Sequence, residues 1–475
     1  MDENIRNLIQ VLLTNPDPDV RRAAAEELGK YEDRNILGVL SIALKDENKG
    51  VIDAVARALI NIGGVDAARA IVHHIEDENI ATRNLAAKLL VNLGTSSIHA
   101  IIPYLQDSNK DTRKMAVDIL GEIRSKESIY YLLPLLHDPD PNVITSTLEA
   151  FGNIGSNKVI ESICETFEKY PFAKLMAIEA LGKIGGNNAR QFLEEKYKKA
   201  LENNIKEEVY LFALLDALGN VGNETTLKLL IENYDKTPET LHDVLLHEII
   251  QIVEKNNIDF CFEEKFKKDL LKALHNDNIN IKLSAAKGLI QFEDELITRE
   301  LLFSLGISED IDCLIIANMP TRRNVFHIAV ECLKTTTRQS SIFQIILLLG
   351  KLASEFSRSI EKLHTQKIDN ESLSKAFDAI TSHWYDINQE NWDIAVEALF
   401  RIDSDRAAQF LISIMNEIDP WPRSVLIGQL ANIPVAQATY CINCFINDEN
   451  DLVREAALMA LKTANSNVKT KDSDN

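Results

Sequence analysis

NPDPDVRRAAAEELG, residues 15–29, returns in altered form as DPDPNVITSTLEAFG, residues 138–152. The two stretches begin 123 residues apart, four steps of about 31. One register runs through both: Leu28, Leu59, Leu90, Leu120, Phe151, Leu181 and Leu218 stand at intervals of 31, 31, 30, 31, 30 and 37. Four places before them are Ala24, Val55, Ala86, Ala116, Thr147, Ala177 and Leu214; eight before are Val20, Val51, Thr82, Thr112, Val143, Ala173 and Tyr210. Spacings of four and eight fall on one helix face, so each repeat carries one apolar stripe. Its small middle residue lets a neighbouring helix approach closely.

Each stripe opens after a polar corner: NPDPD, then DEN at 46–48, DEN at 77–79, DSN at 107–109 and DPDP at 138–141. Asp and Asn accept the free amides of a helix start, and Pro fits its first turn. Each stripe closes near a glycine (Gly63, Gly94, Gly155, Gly185, Gly222), the residue a left-handed helix end prefers. A second glycine row, Gly29, Gly121, Gly152, Gly182 and Gly219, lies inside the last turn. Glycine there costs about 1 kcal/mol relative to alanine, so its recurrence predicts tightly converging helices. Shorter apolar patterns such as AARAIVHHI (67–75) and IHAIIPYL (98–105) fill the gaps. The unit is helix, corner, stripe helix, glycine. The predicted fold is all-α, an α-solenoid of the HEAT/armadillo-like kind, a right-handed superhelix of about 12–14 helical hairpins.

These residues resemble the HEAT-like repeats of the bilin (PBS) lyase type, whose pattern is a D-x-x-V-R corner followed by A-A-x-x-L-G-x-I-G. The matches are Asp17, Val20, Arg21, Ala24, Leu28 and Gly29, then Arg83, Ala86, Ala87, Leu90 and Gly94. DTRKMAVDILGEI (111–123) and LMAIEALGKIGG (175–186) follow the same mould. The likeness is strongest over about residues 15–225, weaker at 278–292, and returns at 391–402 and 451–462. It implies a shape that many unrelated proteins use for binding. Protein docking is the function expected, with bacterial signalling as one setting. A bilin-lyase-like enzyme or tetrapyrrole chaperone is the alternative the resemblance supplies.

The domain layout expected is a regular array over 1–294, an irregular helical segment over 295–390, C-terminal repeats over 391–462 and a disordered tail over 463–475. In the irregular segment the register is lost, although TRRNVFHIAVECL (321–333) and SSIFQIILLLGKLASEFSRSIEKL (340–363) still read as helices. Degenerate repeats are the preferred reading there, an inserted hairpin the other, and self-association through 295–390 is considered.

Lys plus Arg total 51 against 72 Asp plus Glu, a formal charge of −21. That field repels phosphate backbones, so the expected partner is a protein with a neutral or basic surface, not nucleic acid. Six scattered cysteines suit a reducing compartment. The N-terminus lacks the basic flank of a secretory signal, and no run reaches the ~18 apolar residues of a membrane span. A cytoplasmic location without membrane contact is therefore expected.

Residues two and six places after each stripe start point away from the core at 100° per residue. The sixth-place row reads Glu26, Arg57, Lys88, Asp118, Glu149, Glu179 and Asp216, mixed at first and then acidic. It is the candidate partner-binding row, on the concave side that such helices usually line. No catalytic set, metal site or cofactor is expected. CINC (441–444) has zinc or redox spacing but no second ligand pair, so both thiols are assigned to core between repeats. The single His247-Glu248 pair resembles those of deoxyhypusine hydroxylases, whose iron set needs several such pairs. Of His73 and His74, one ring is expected to pack and the other to be solvated. Trp384, Trp392 and Trp421 are expected mainly in the core.

Overall fold

In the computed structural model, which describes residues 3–31, 34–203, 205, 207–358 and 368–471, each polar corner is two successive side-chain turns. Asp138 Oδ1 accepts the N–H of Asp140 at 2.8 Å, and Asp140 Oδ1 accepts the N–H of Asn142 at 2.9 Å. The second bond caps the helix Pro141–Ile154. Asp46 with Asn48, Asp77 with Asn79 and Asp107 with Asn109 repeat the arrangement. A short side chain with an acceptor oxygen is what both turns require, which is why only Asp and Asn recur.

In two repeats an arginine just after the stripe's first residue ties successive corners together. Arg113 donates to Asp138 of the next corner at 2.7 and 2.8 Å, and to the carbonyls of Asp107 and Ser108 in its own. Arg21 does the same with Asp46, Asn15 and Pro16. That guanidinium holds the Asp46 carboxyl below the usual carboxylate range. Planar, bidentate pairing of this kind suits arginine and not lysine.

The stripes are the core. Leu28, Leu59, Leu90, Leu120, Phe151, Leu181 and Leu218 are all fully buried. Two stripe starts depart: Val20 is 40% exposed and Tyr210 is half-buried. Successive stripe helices pack directly on one another: Pro18–Leu28, Lys49–Ile62, Ile80–Leu93, Lys110–Ile123, Pro141–Ile154, Lys174–Ile184, Glu208–Val221 and His242–Asn256. Shorter helices fill the layer behind them. The inner glycines set the spacing. A β-carbon on Gly29, Gly121, Gly152 or Gly182 would lie 2.8, 2.7, 3.5 or 3.0 Å from the β-carbon of Ala58, Ala150, Ala180 or Ala217. Close packing is therefore what the row supplies.

The closing glycines Gly63, Gly94, Gly155 and Gly185 all take positive φ, between 60° and 69°. Gly222 does not: its φ is −65°, and glycine is needed there because a β-carbon would meet the Leu218 carbonyl at 2.5 Å. Where the closing glycine is replaced, Arg124 and Asn257 adopt positive φ themselves, 56° and 51°.

The fold is all-α, with no strand among the described residues. The chain divides into two units, Met1–Ile258 and Asp259–Asn475, so the boundary drawn at 294/295 falls inside the second. Each unit is a stack of paired helices in which alternate helices touch. In the second, a β-carbon on Gly350 of the helix Gln339–Arg358 would lie 2.9 Å from that of Ala398, as with the glycines above. The apolar residues Ile342, Ile345, Ile346, Leu348, Leu349 and Leu352 of that helix are buried within the unit. The last helix runs Asp451–Lys471, so 463–471 are helical where a disordered tail was expected, and 472–475 lie outside the described residues. Nothing in TANSNVKTK stops a helix already nucleated on the buried Val453, Ala457 and Ala460. The stretch Ile80–Gln106 is long and apolar enough to cross a membrane by composition. It is broken at Gly94 into the stripe helix of one repeat and the short helices that follow, with Ala86, Leu89, Leu90, Ile98 and Ile101 buried.

Candidate protein-binding surface

All seven residues of the sixth-place row reach solvent; Asp118 is half-buried and the others are exposed. The structure brings neighbours on the row together. Arg57 Nη2 pairs with Glu26 at 3.0 Å across one repeat. Asp216 lies near enough to Glu179 and His247 for each to act on its carboxyl. The row thus continues one helix further, to His247.

Its acidic half is less uniform than one residue per helix implies. Lys114 pairs with Asp118 at 2.8 Å and Lys183 with Glu179 at 2.7 Å, each one turn away on the same helix. Exposed pairs of this kind contribute little energy, but they cancel charge locally. Glu149 has no ion pair among the described residues. Asp216 is pushed above the ordinary carboxylate range, first by burial and next by the charge of Glu179.

One acid on this face escapes the register argument. Glu248, on His242–Asn256, is 7% exposed and has no hydrogen bond among the described residues. It stands seven places after Leu241, where the repeats that follow an inner glycine have Ala58, Ala150, Ala180 and Ala217. Its Oε2 occupies the space of a Gly219 β-carbon, 1.6 Å from that position, one turn from Asp216. Burial, and then the Asp216 charge, push its carboxyl up to about 8. A glutamate one repeat after an inner glycine, where the other such repeats have alanine, is the signal the sequence offers.

The second-place positions on the same helices were also legible but unexamined. Leu175 and Phe212 hold them, with Phe172 and Val209 just before the stripes, and all four are exposed (41, 46, 48 and 61%). In earlier repeats the second-place residues are Arg22, Asp53, Asn84, Lys114 and Thr145. The surface therefore changes from polar to apolar at the helices Lys174–Ile184 and Glu208–Val221.

The second unit has a cleft of about 840 Å³ between Glu309–Asn318 and Gln339–Arg358, with Ile316, Phe343, Leu347 and Ile387 on its walls and Asp312 and Lys351 among its polar groups. Asp312 accepts the Gly306 N–H at 2.6 Å, which holds one edge. The remaining candidates resolve individually. Cys441 is buried but Cys444 is exposed, at the end of Ala436–Asn443, so only one thiol of CINC fills core. His74 is buried, with Nε2 2.9 Å from both the hydroxyl and the carbonyl oxygen of Ser41, whereas His73 is exposed. Trp384 and Trp392 are buried and stacked at 5.5 Å; Trp421 is 63% exposed. Among the described residues no group of three or more His, Cys, Asp or Glu is arranged to hold a metal ion.

Stacked helical hairpins with buried stripes and capped corners define an α-solenoid architecture in each unit. Residues 5–95 and 98–172 match the family described as HEAT repeats. No curated protein matches it. Similar solved structures include importin beta crystallised in an ammonium sulfate condition, at 12% identity over 97% of this chain and 74% of that one, TM-score 0.46. A Kap95:Nup1 complex matches at 11% identity over 98% and 74%, TM-score 0.46. Kap121p bound to RanGTP matches at 12% over 97% and 52%, TM-score 0.45.

Proposed function

We propose that this chain is a non-enzymatic scaffold that docks a partner protein along the exposed row of its first unit. The observation that carries the reading is the ladder itself. From Lys110–Ile123 to Glu208–Val221, glycine–alanine contacts hold successive stripe helices close, with an arginine–aspartate clamp at the first step, and this preorganises the strip from Asp118 to Asp216. A rigid strip presents its charges without an ordering cost on binding. The acidic half, with Glu149 and Asp216 free of ion pairs, suits a partner with a neutral or basic surface. Pull-down from the native host with Glu149→Lys, Glu179→Lys and Asp216→Lys combined should lose partners that the unaltered chain retains. Equal recovery of partners by both would remove the reading.

A second reading is a bilin-lyase-like enzyme or tetrapyrrole chaperone. The cleft in the second unit supports it, since about 840 Å³ with partly apolar walls has the size of a small-molecule site. Visible tetrapyrrole absorbance in protein purified from its host would favour it. Colourless protein that takes up no added tetrapyrrole would count against it.

A further inference from the structure

The polar-to-apolar change at Lys174–Ile184 and Glu208–Val221 falls beside Glu179, which is paired with Lys183, and Asp216, which has no ion pair among the described residues. Leu175 precedes Glu179 by four residues and Phe212 precedes Asp216 by four, so each apolar side chain sits one turn from an acid on the same face. Exposed aromatic and aliphatic side chains clustered beside charge are the composition of an interaction surface. Behind Asp216, Glu248 is buried at 7% exposure, its carboxyl resting on the bare backbone of Gly219. A buried carboxylate beside a second acid is costly unless something supplies a donor or a counter-charge. Every other repeat with an inner glycine on the preceding stripe helix places alanine at this contact, so packing alone does not call for an acid here.

We propose that the turn where Asp216, Gly219 and Glu248 meet, with Phe172, Leu175, Val209 and Phe212 beside it, receives a short partner-protein segment carrying a lysine or arginine next to apolar side chains. The basic group pairs with Asp216 and reaches the Glu248 carboxyl; the apolar side chains cover Leu175 and Phe212. The inference rests on the docking reading above and narrows it to one place and one chemistry. Only the two helices and the start of the third are needed, which is the span of a peptide rather than a domain.

The test is a phage-displayed library of random 12-residue peptides panned against the full chain. Selected peptides should carry a basic residue flanked by apolar ones. Their affinity should fall about tenfold in Asp216→Asn, in Glu248→Gln and in Phe212→Ser, each checked for unchanged helicity, and should be unaffected by Glu26→Gln in the first repeat. Peptides without a basic residue, affinities indifferent to all three substitutions, or no selection at all would each overturn the assignment. Partner loss in the charge-reversal pull-down, seen together with any of those results, would leave the scaffold reading standing and only this placement refuted.

Discussion

Arg113 and Asp138 belong to different repeats, yet they form a two-pronged ion pair at 2.7 and 2.8 Å while the same guanidinium holds two carbonyls of its own corner. One side chain therefore sets the step from one hairpin to the next. Arg113→Ala is expected to destabilise the protein by about 2 kcal/mol, the loss of hydrogen bonds to a charged group. Arg113→Lys should restore little of it, because an ammonium cannot span both oxygens and the carbonyls. Urea unfolding of both variants, with Asp138→Asn to close a double-mutant cycle, checks this; additive losses would show that the pair is not coupled.

Gly121 sits against Ala150 where a β-carbon would lie 2.7 Å away. Gly121→Ala should therefore destabilise by about 1–3 kcal/mol through overpacking, although alanine is the better helix former by about 1 kcal/mol. Adding Ala150→Gly should recover most of the loss. Chemical denaturation of the three proteins measures it, and a neutral or stabilising Gly121→Ala would mean that the helices can move apart freely.

Arg124 takes φ 56° where other repeats close on glycine. It is exposed, so its side chain contributes little, and Arg124→Gly relieves the left-handed strain. A gain of about 0.5–1 kcal/mol in thermal unfolding is expected; a loss would show that the arginine makes a contact that matters.

Glu248 has a folded-state value of about 8, above the ~4.3 of an unperturbed glutamate. The folded state thus holds a proton that the unfolded state releases between those limits. Stability from this group is fully present below the unfolded value and is lost as pH rises through the folded one. Glu248→Gln, which removes the titration, should raise the melting temperature more at pH 8 than at pH 5. An equal effect at both would contradict a buried, neutral carboxyl.

The repeat was legible because its physics is local. Stripe spacing, the corner Asp and Asn, and the closing glycines each follow from helix geometry within about thirty residues. The arginine clamps were quoted as a pattern but not understood, since Asp138 is 25 residues beyond Arg113 and only stacking joins them. The surface was half legible. Taking one residue per helix captured the exposed row, yet missed Lys114 and Lys183, which lie one turn away and neutralise Asp118 and Glu179. Glu248 is not legible from local spacing, because its burial against Gly219 depends on a residue 29 places earlier that only stacking brings near. The boundary at 258/259 follows how the helices cluster in space, not where the register fades.

Site-specific photo-crosslinking in the native host tests the docking face most directly. A crosslinking residue at 149, on the row, is compared with one at 130, where Tyr130 on the short helix Ile129–Leu132 is 79% exposed. The account predicts protein adducts from 149 and none from 130. Adducts from 130 alone would place the partner on the outer layer and contradict it.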